Sequence, residues 1–327
     1  MDIGKAIGLE YGAPTRNAFG EELRALGGEN PNLVVVDGDV ANSTRTEYFA
    51  KVYPERFFNV GIAESNLIGV ASGLAASGKD VVAASFAAFL LNNAYEQIRM
   101  TIAFPRIGVK LVGSHSGISI GEDGPSQMAI EDIALATPLP HMTVLVPADA
   151  PSMRAATRAM FAQEGPVYLR TGRSQVPVVY DDGAPFTIGR ANVLREGDDL
   201  TIVACGLMVA AALEAAEALR ADGIAARVLD MHTIKPLDDD ALERAARETG
   251  AIVTAEEHLL DGGLGAAVAR SIAQRHPVPV AMVGIDNRYA ESGAPQELLD
   301  KYGLTARHVV EAARGVLRKK GVRGKRG

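Results

Sequence analysis

The chain has 327 residues, 47% of them hydrophobic and 22% charged, with a formal net charge of -7. That length suits roughly two domains of about 150 residues each, and the acidic balance argues against a nucleic-acid binder. The single cysteine, Cys205, rules out an internal disulfide and suits a cytoplasmic setting; the six scattered histidines lack zinc-type spacing, and no run approaches the roughly 18 apolar residues of a membrane span.

The N-terminal segment Met1–Asn17 lacks the apolar core of a signal peptide. Beyond it, short β-branched runs alternate with longer helical patterns. Strands are expected at Leu33–Asp37, Val81–Ser85, Gly108–Val112, Thr143–Val146 and Val167–Arg170. Helices are expected at Ala18–Leu26, Ala63–Ser77, Ala88–Ile102 and Ser152–Gln163. Such alternation predicts an α/β domain, a doubly wound and mostly parallel sheet, over 10–175. From Thr171 to Asp199 the periodicity lapses amid Pro and Gly, and 176–199 is read as a linker. A smaller doubly wound α/β domain is expected over 200–318. Its strands are Leu200–Ala204, Ala226–Asp230, Ala251–Thr254 and Val280–Ile285, and its helices Ala210–Arg220, Asp239–Glu248, Leu264–His276 and Ala306–Val316. The basic, Gly-containing tail from Arg314 to Arg326 reads as a frayed terminus.

Two segments depart from packing logic. In Asn59-Val-Gly-Ile-Ala-Glu-Ser-Asn66 a carboxylate, Glu64, opens a helix of small apolar residues. Gly69 and Gly73 are four apart and leave one face of that helix nearly bare. Glycine within a helix costs about 1 kcal/mol relative to alanine, a cost that close approach of another helix, across a subunit interface, would offset. A carboxylate carried into such a buried place suits acid–base work; a plain N-terminal Glu favoured by the helix dipole is the simpler reading. The second segment, Gly113 to Gln127, is a long polar, Gly-rich loop after a strand, where open α/β sheets place their ligands. Between the two, Phe86 and Phe89 lie three apart, either as core aromatics or as a platform for a flat heterocycle.

In this order the pieces resemble the transketolase family. Its pyrimidine-binding domain carries a glycine-led glutamate motif (Gly61-Ile-Ala-Glu64), an aromatic segment (Phe86-Ala-Ala-Phe89), and a His–Asp loop from His115 to Asp123, eight residues on, closed by Gly-Glu-Asp-Gly-Pro. Asp230-Met-His-Thr-Ile-Lys-Pro-Leu-Asp238 resembles the family's C-terminal domain. The likeness spans about residues 10 to 315, the C-terminal half of a transketolase.

The resemblance implies thiamine diphosphate as cofactor, with Glu64 on the aminopyrimidine, Phe89 stacked on that ring, Phe86 and Asn92 flanking it, and Asp39 nearby. It implies a two-carbon ketol transfer from a ketose to an aldehyde, with Glu64 and His115 catalytic and with His115 and Asp123 on sugar hydroxyls. Arg16, Ser43 and Arg173 would hold the substrate phosphate or another anion, with Arg170 assisting. Three positions depart from the family pattern: Ser65 follows the glutamate where most members have His, Gln127 replaces a second histidine, and Asn92 replaces an aromatic. All three bear on the pyrimidine pocket and the acceptor aldehyde.

Diphosphate and Mg²⁺ call for a Gly-Asp-Gly…Asn motif. Asp37-Gly-Asp39 resembles only a fragment of one. A separate N-terminal subunit is therefore expected to bind diphosphate and metal, in an α2β2 heterotetramer. A 2-oxo acid dehydrogenase β subunit, a deoxyxylulose-phosphate synthase relative and a non-catalytic assembly subunit stay open as alternatives.

Overall fold

The fold is given by a computed structural model that describes residues 1–324, with side chains through residue 321. It contains two α/β sheets. The larger has seven strands in the order β10-β5-β6-β4-β3-β1-β2. Those strands are β1 (Leu33–Asp37), β2 (Phe57–Asn59), β3 (Asp80–Phe86), β4 (Lys110–Ser114), β5 (Thr143–Leu145), β6 (Val167–Arg170) and β10 (Thr233–Lys235). All neighbours pair in parallel except β10, which runs antiparallel to β5.

The smaller sheet has the order β12-β11-β8-β9-β7, built from β7 (Asn192–Arg195), β8 (Leu200–Ala204), β9 (Ala226–Asp230), β11 (Ile252–Leu259) and β12 (Val280–Ile285). Only β7 is antiparallel.

Alternation along β1 shows how the sequence winds the larger sheet. Leu33 and Val35 face one apolar layer, packing with Phe19, Leu23, Met153 and Met160 from the helices Thr15–Glu29 and Ala150–Ala162. Val34 and Val36 face the other, with Leu67, Ile68, Leu90 and Leu91. This is the period-2 reading of a strand buried on both sides. The second layer does not stop at the first domain: the same cluster takes in Val203, Leu229, Leu242 and Ile252.

Four expectations are revised. Residues 176–199 hold strand β7 and the buried Val176 and Tyr180, so this stretch is packed structure in part. The helix expected over Ala88–Ile102 is interrupted. Ala87–Asn93 ends at Ala94, which leaves helical geometry at φ -114 and ψ 18, and a π-helical turn follows at Ile98–Ala103. The basic tail is helical through Gly324, in the element Ala306–Gly324, while residues 325–327 lie outside the described residues. Lys320 in that helix donates to the carbonyls of Asp199 and Thr249. Three short strands, β2, β7 and β10, come in addition to those expected.

Candidate active site

Glu64 is the first residue of the helix Glu64–Ala76 and is buried, at 7% exposure. Ser85, near the end of β3, donates its hydroxyl to Glu64 Oε1 at 3.4 Å, a long bond. The next residue, Phe86, begins an aromatic ledge. Its ring is nearly parallel to that of Phe89, with centroids 5.6 Å apart and planes 7° apart, and both side chains are partly exposed. Asn92 lies one turn further on, exposed, and donates Nδ2 to Glu131 Oε1 at 3.0 Å.

Phe86 also carries His115, whose ring stacks on it at 3.8 Å and 11°. His115 is 2% exposed and has a left-handed φ of 60°. Its Nε2 lies 3.3 Å from Arg16 Nη1 and its Nδ1 2.8 Å from Ser114 Oγ. Arginine can only donate, so Nε2 accepts and the proton sits on Nδ1, directed at Ser114. Burial, then the nearby Arg16, Arg173 and Arg45 guanidiniums, push the imidazole down to about 3, so the ring is neutral.

Arg16 Nη1 also donates to the Ser43 carbonyl at 3.0 Å, and its buried Nε has no partner. Burial, Arg45 and Arg173 lower its guanidinium to about 10, which still leaves it charged near neutrality. Arg173 pairs with Asp123 at 2.9 Å and donates to the Ile120 carbonyl. The structure therefore gathers Arg16, Ser43, His115, Asp123 and Arg173 around the His–Asp loop. Asp39, exposed and at φ 67°, receives Asn59 Nδ2 at 2.7 Å near the Gly61–Glu64 segment.

One expectation does not survive. Arg170 does not assist in anion binding: its side chain is buried, paired with Asp132 through Nε at 2.8 Å and Nη2 at 3.1 Å, and its Nη2 also donates to the carbonyls of Ala129 and Glu257. Asp37, expected to be only a fragment of a metal motif, has its carboxylate engaged. It is buried and accepts from the Val40 amide and the hydroxyls of Thr44 and Thr46. No group of three or more His, Cys, Asp or Glu among the described residues is arranged to hold a metal.

Arg45, Asp132 and Glu257 belong to none of the motifs legible in the sequence. The run Glu256-Glu257-His258 inside an otherwise apolar strand was the available signal for the last of these. All three of its residues are buried.

Residues 12–179 match the family model for the transketolase pyrimidine-binding domain, and residues 189–309 match that for the transketolase C-terminal domain. The chain belongs to the transketolase family. More particularly, it is similar to the C-terminal portion of transketolases found as separate chains. It is 42% identical over 299 residues to a transketolase C-terminal section of Methanocaldococcus jannaschii, covering 90% of this chain and 94% of that one. It is 40% identical over 308 residues to the 6-deoxy-6-sulfo-D-fructose transketolase subunit SqwH of a Clostridium species, covering 94% and 96%. A solved split-gene transketolase, an inactive beta4 tetramer, superposes with a TM-score of 0.89 at 51% identity, covering 94% of this chain and all (100%) of that one.

Proposed function

We propose that this chain is the C-terminal subunit of a two-chain transketolase. In this role it binds the aminopyrimidine ring of thiamine diphosphate and the anionic end of a ketose, and a companion N-terminal subunit grips the diphosphate and Mg²⁺. The observation that carries this is the continuity from Glu64 through Ser85, Phe86 and His115 to Arg16. It places a buried carboxylate, an aromatic ledge and a cationic set in one contiguous site.

Fit to the coenzyme is favourable on this side. The Phe86–Phe89 ledge suits a flat heterocycle. Among the described residues Glu64 has one weak partner, which leaves its carboxyl available to a ring nitrogen. Once bound, the coenzyme supplies the electron sink for breaking the carbon–carbon bond. Arg16 and Arg173 hold the substrate anion, a phosphate or a group of similar charge, and Asp123 takes a hydroxyl. His115, kept neutral, presents Nε2 as an acceptor, first to Arg16 and then to a substrate hydroxyl. The saturated carboxylate of Asp37 leaves metal binding to the companion chain.

Exposed small and apolar residues support assembly with further chains. Among the described residues, no other element lies within 4 Å of where a Cβ would stand on Gly69 or Gly73. Ile62 and Phe104 are 79% and 77% exposed. The relatives that exist as separate C-terminal chains, one of them solved as an inactive tetramer, support a need for a partner.

The test is reconstitution with a companion chain of the Gly-Asp-Gly…Asn type, assayed with a ketose phosphate and with pyruvate. Ketol transfer from the mixture, and from neither chain alone, is expected. Turnover by this chain alone would refute the two-chain reading, and turnover of pyruvate would replace it with a 2-oxo acid enzyme.

A further inference from the structure

The His115–Asp123 loop belongs to the first domain, yet the second domain supplies its seat. Gly117, at φ +82°, lies so close to the Glu257 carboxylate that a Cβ there would overlap it. Gly121, also at +82°, would place a Cβ 3.0 Å from the Pro295 ring and 3.2 Å from the Gly293 carbonyl. Both positions require a residue that tolerates positive φ and has no side chain to hold the two surfaces apart.

Glu257 is 5% exposed, and its Oε1 accepts the Ser119 amide at 2.5 Å. Ser119 stands midway between His115 and Asp123. Its carbonyl accepts from Ser174 Oγ at 2.6 Å, and the next carbonyl, Ile120, accepts from Arg173. The peptide of Glu257 is itself fixed from the first domain, because Arg170 Nη2 donates to its carbonyl at 3.0 Å. A continuous relay thus runs from Asp132 through Arg170 and Glu257 to the Ser119 amide. Among the described residues, the Glu257 carboxylate is hydrogen-bonded to the Ser119 amide and to none of the residues assigned to substrate; it acts on the backbone that carries them.

We propose that Glu257 is a positioning residue for ketol transfer, by which the second domain sets the height of the His115–Asp123 loop relative to Arg16 and Arg173. The proposal rests on the substrate assignment made above. It gives the C-terminal domain a part in substrate binding through the backbone of the loop. A carboxylate is not essential for this, since any correctly placed acceptor oxygen would hold the amide.

The test compares Glu257→Gln with Glu257→Leu in the full chain, alone and in the reconstituted complex. In the chain alone, hydrogen exchange at the Gly117–Gly124 amides is read against β1 and β3. Glu257→Leu is expected to speed loop exchange by up to about tenfold, the scale of leaving one buried amide without its acceptor. The strands should stay protected, and Glu257→Gln should stay close to wild type. In the complex, Glu257→Leu should raise KM for the anionic donor about tenfold while kcat falls far less, and Glu257→Gln should restore KM.

Unchanged loop exchange in Glu257→Leu, or equal defects in both variants, would overturn the proposal. Should Glu257→Leu fail to fold, Glu257→Ala removes the same acceptor without an added branch and must reproduce the loop-specific loss. Exchange is read without catalysis, so a loosened loop beside a wild-type complex that lacks ketol transfer would refute the enzyme assignment and leave the positioning intact.

Discussion

The imidazole of His115 lies flat on the ring of Phe86, with centroids 3.8 Å apart. One aromatic side chain is therefore shared by the ledge proposed for the coenzyme and the cluster proposed for the substrate anion. Replacing Phe86 by Ala removes support from both. Phe86→Ala is expected to weaken donor binding along with coenzyme binding, by about 0.5–1.5 kcal/mol for each lost stacking contact. Titration of each ligand into the reconstituted complex checks this, and a variant that loses coenzyme alone would show the two halves to be independent.

The neutral state of His115 has a pH consequence with a definite sign. Its folded value, about 3, lies below the ordinary 6.5. The ring therefore contributes stability that is present above pH 6.5 and lost as pH falls toward 3, because the unfolded chain takes up a proton the folded one refuses. The stability advantage of wild type over His115→Asn should shrink between pH 7 and pH 4.5 in urea unfolding. In nuclear magnetic resonance, the ring carbon protons should not titrate between pH 5 and 8.

Asp230 has the opposite sign. Burial raises its carboxyl from 3.8 to about 7, against the pull of the Tyr180 hydroxyl bonded to it at 2.7 Å. A raised carboxyl contributes stability that is full below pH 3.8 and lost as pH rises through about 7. Asp230→Asn should therefore gain on wild type as pH climbs from 4 to 8. A constant difference across that range would mean the group is ionised throughout.

Glu64→Gln keeps the size of the side chain and removes its acidic proton. Turnover by the reconstituted complex should fall at least about a hundredfold, with assembly unchanged by sedimentation. Unaltered activity would show that Glu64 is no more than the first-turn acid of its helix.

Arg16→Ala and Arg173→Ala should each raise KM for an anionic donor about 10–100-fold, the loss expected for one charge-assisted contact. KM for an uncharged ketose should change little. Asp132→Ala leaves Arg170 buried without its carboxylate and should cost about 3–5 kcal/mol of stability, measured by chemical unfolding.

Much of the fold was legible because its central strands are short apolar runs between helical patterns. β1, β6, β8, β9 and β12 begin and end where those runs do. The strands that escaped, β2, β7 and β10, are three or four residues long, sit at sheet edges and include polar residues such as Asn59, Asn192 and Lys235. Their pairing depends on segments distant in sequence, and periodicity carries no record of that. In the site, residue types were readable and side-chain directions were not. Arg170 and Arg173 are near neighbours in the sequence, yet the first points into the protein toward Asp132 and the second pairs with Asp123 in the loop. Glu257 stands out in the sequence as a carboxylate within an apolar strand, yet its partner does not: it is a backbone amide 138 positions away.

Strand β10 pairs with β5 although its sequence lies beyond β9 of the other sheet. Cutting the polypeptide at residue 179 would remove that cover and bare the hydrogen-bonding flank of β5, an invitation to self-association. The two halves of this chain are thus buttoned together, and neither should be expected to behave well when cloned without the other.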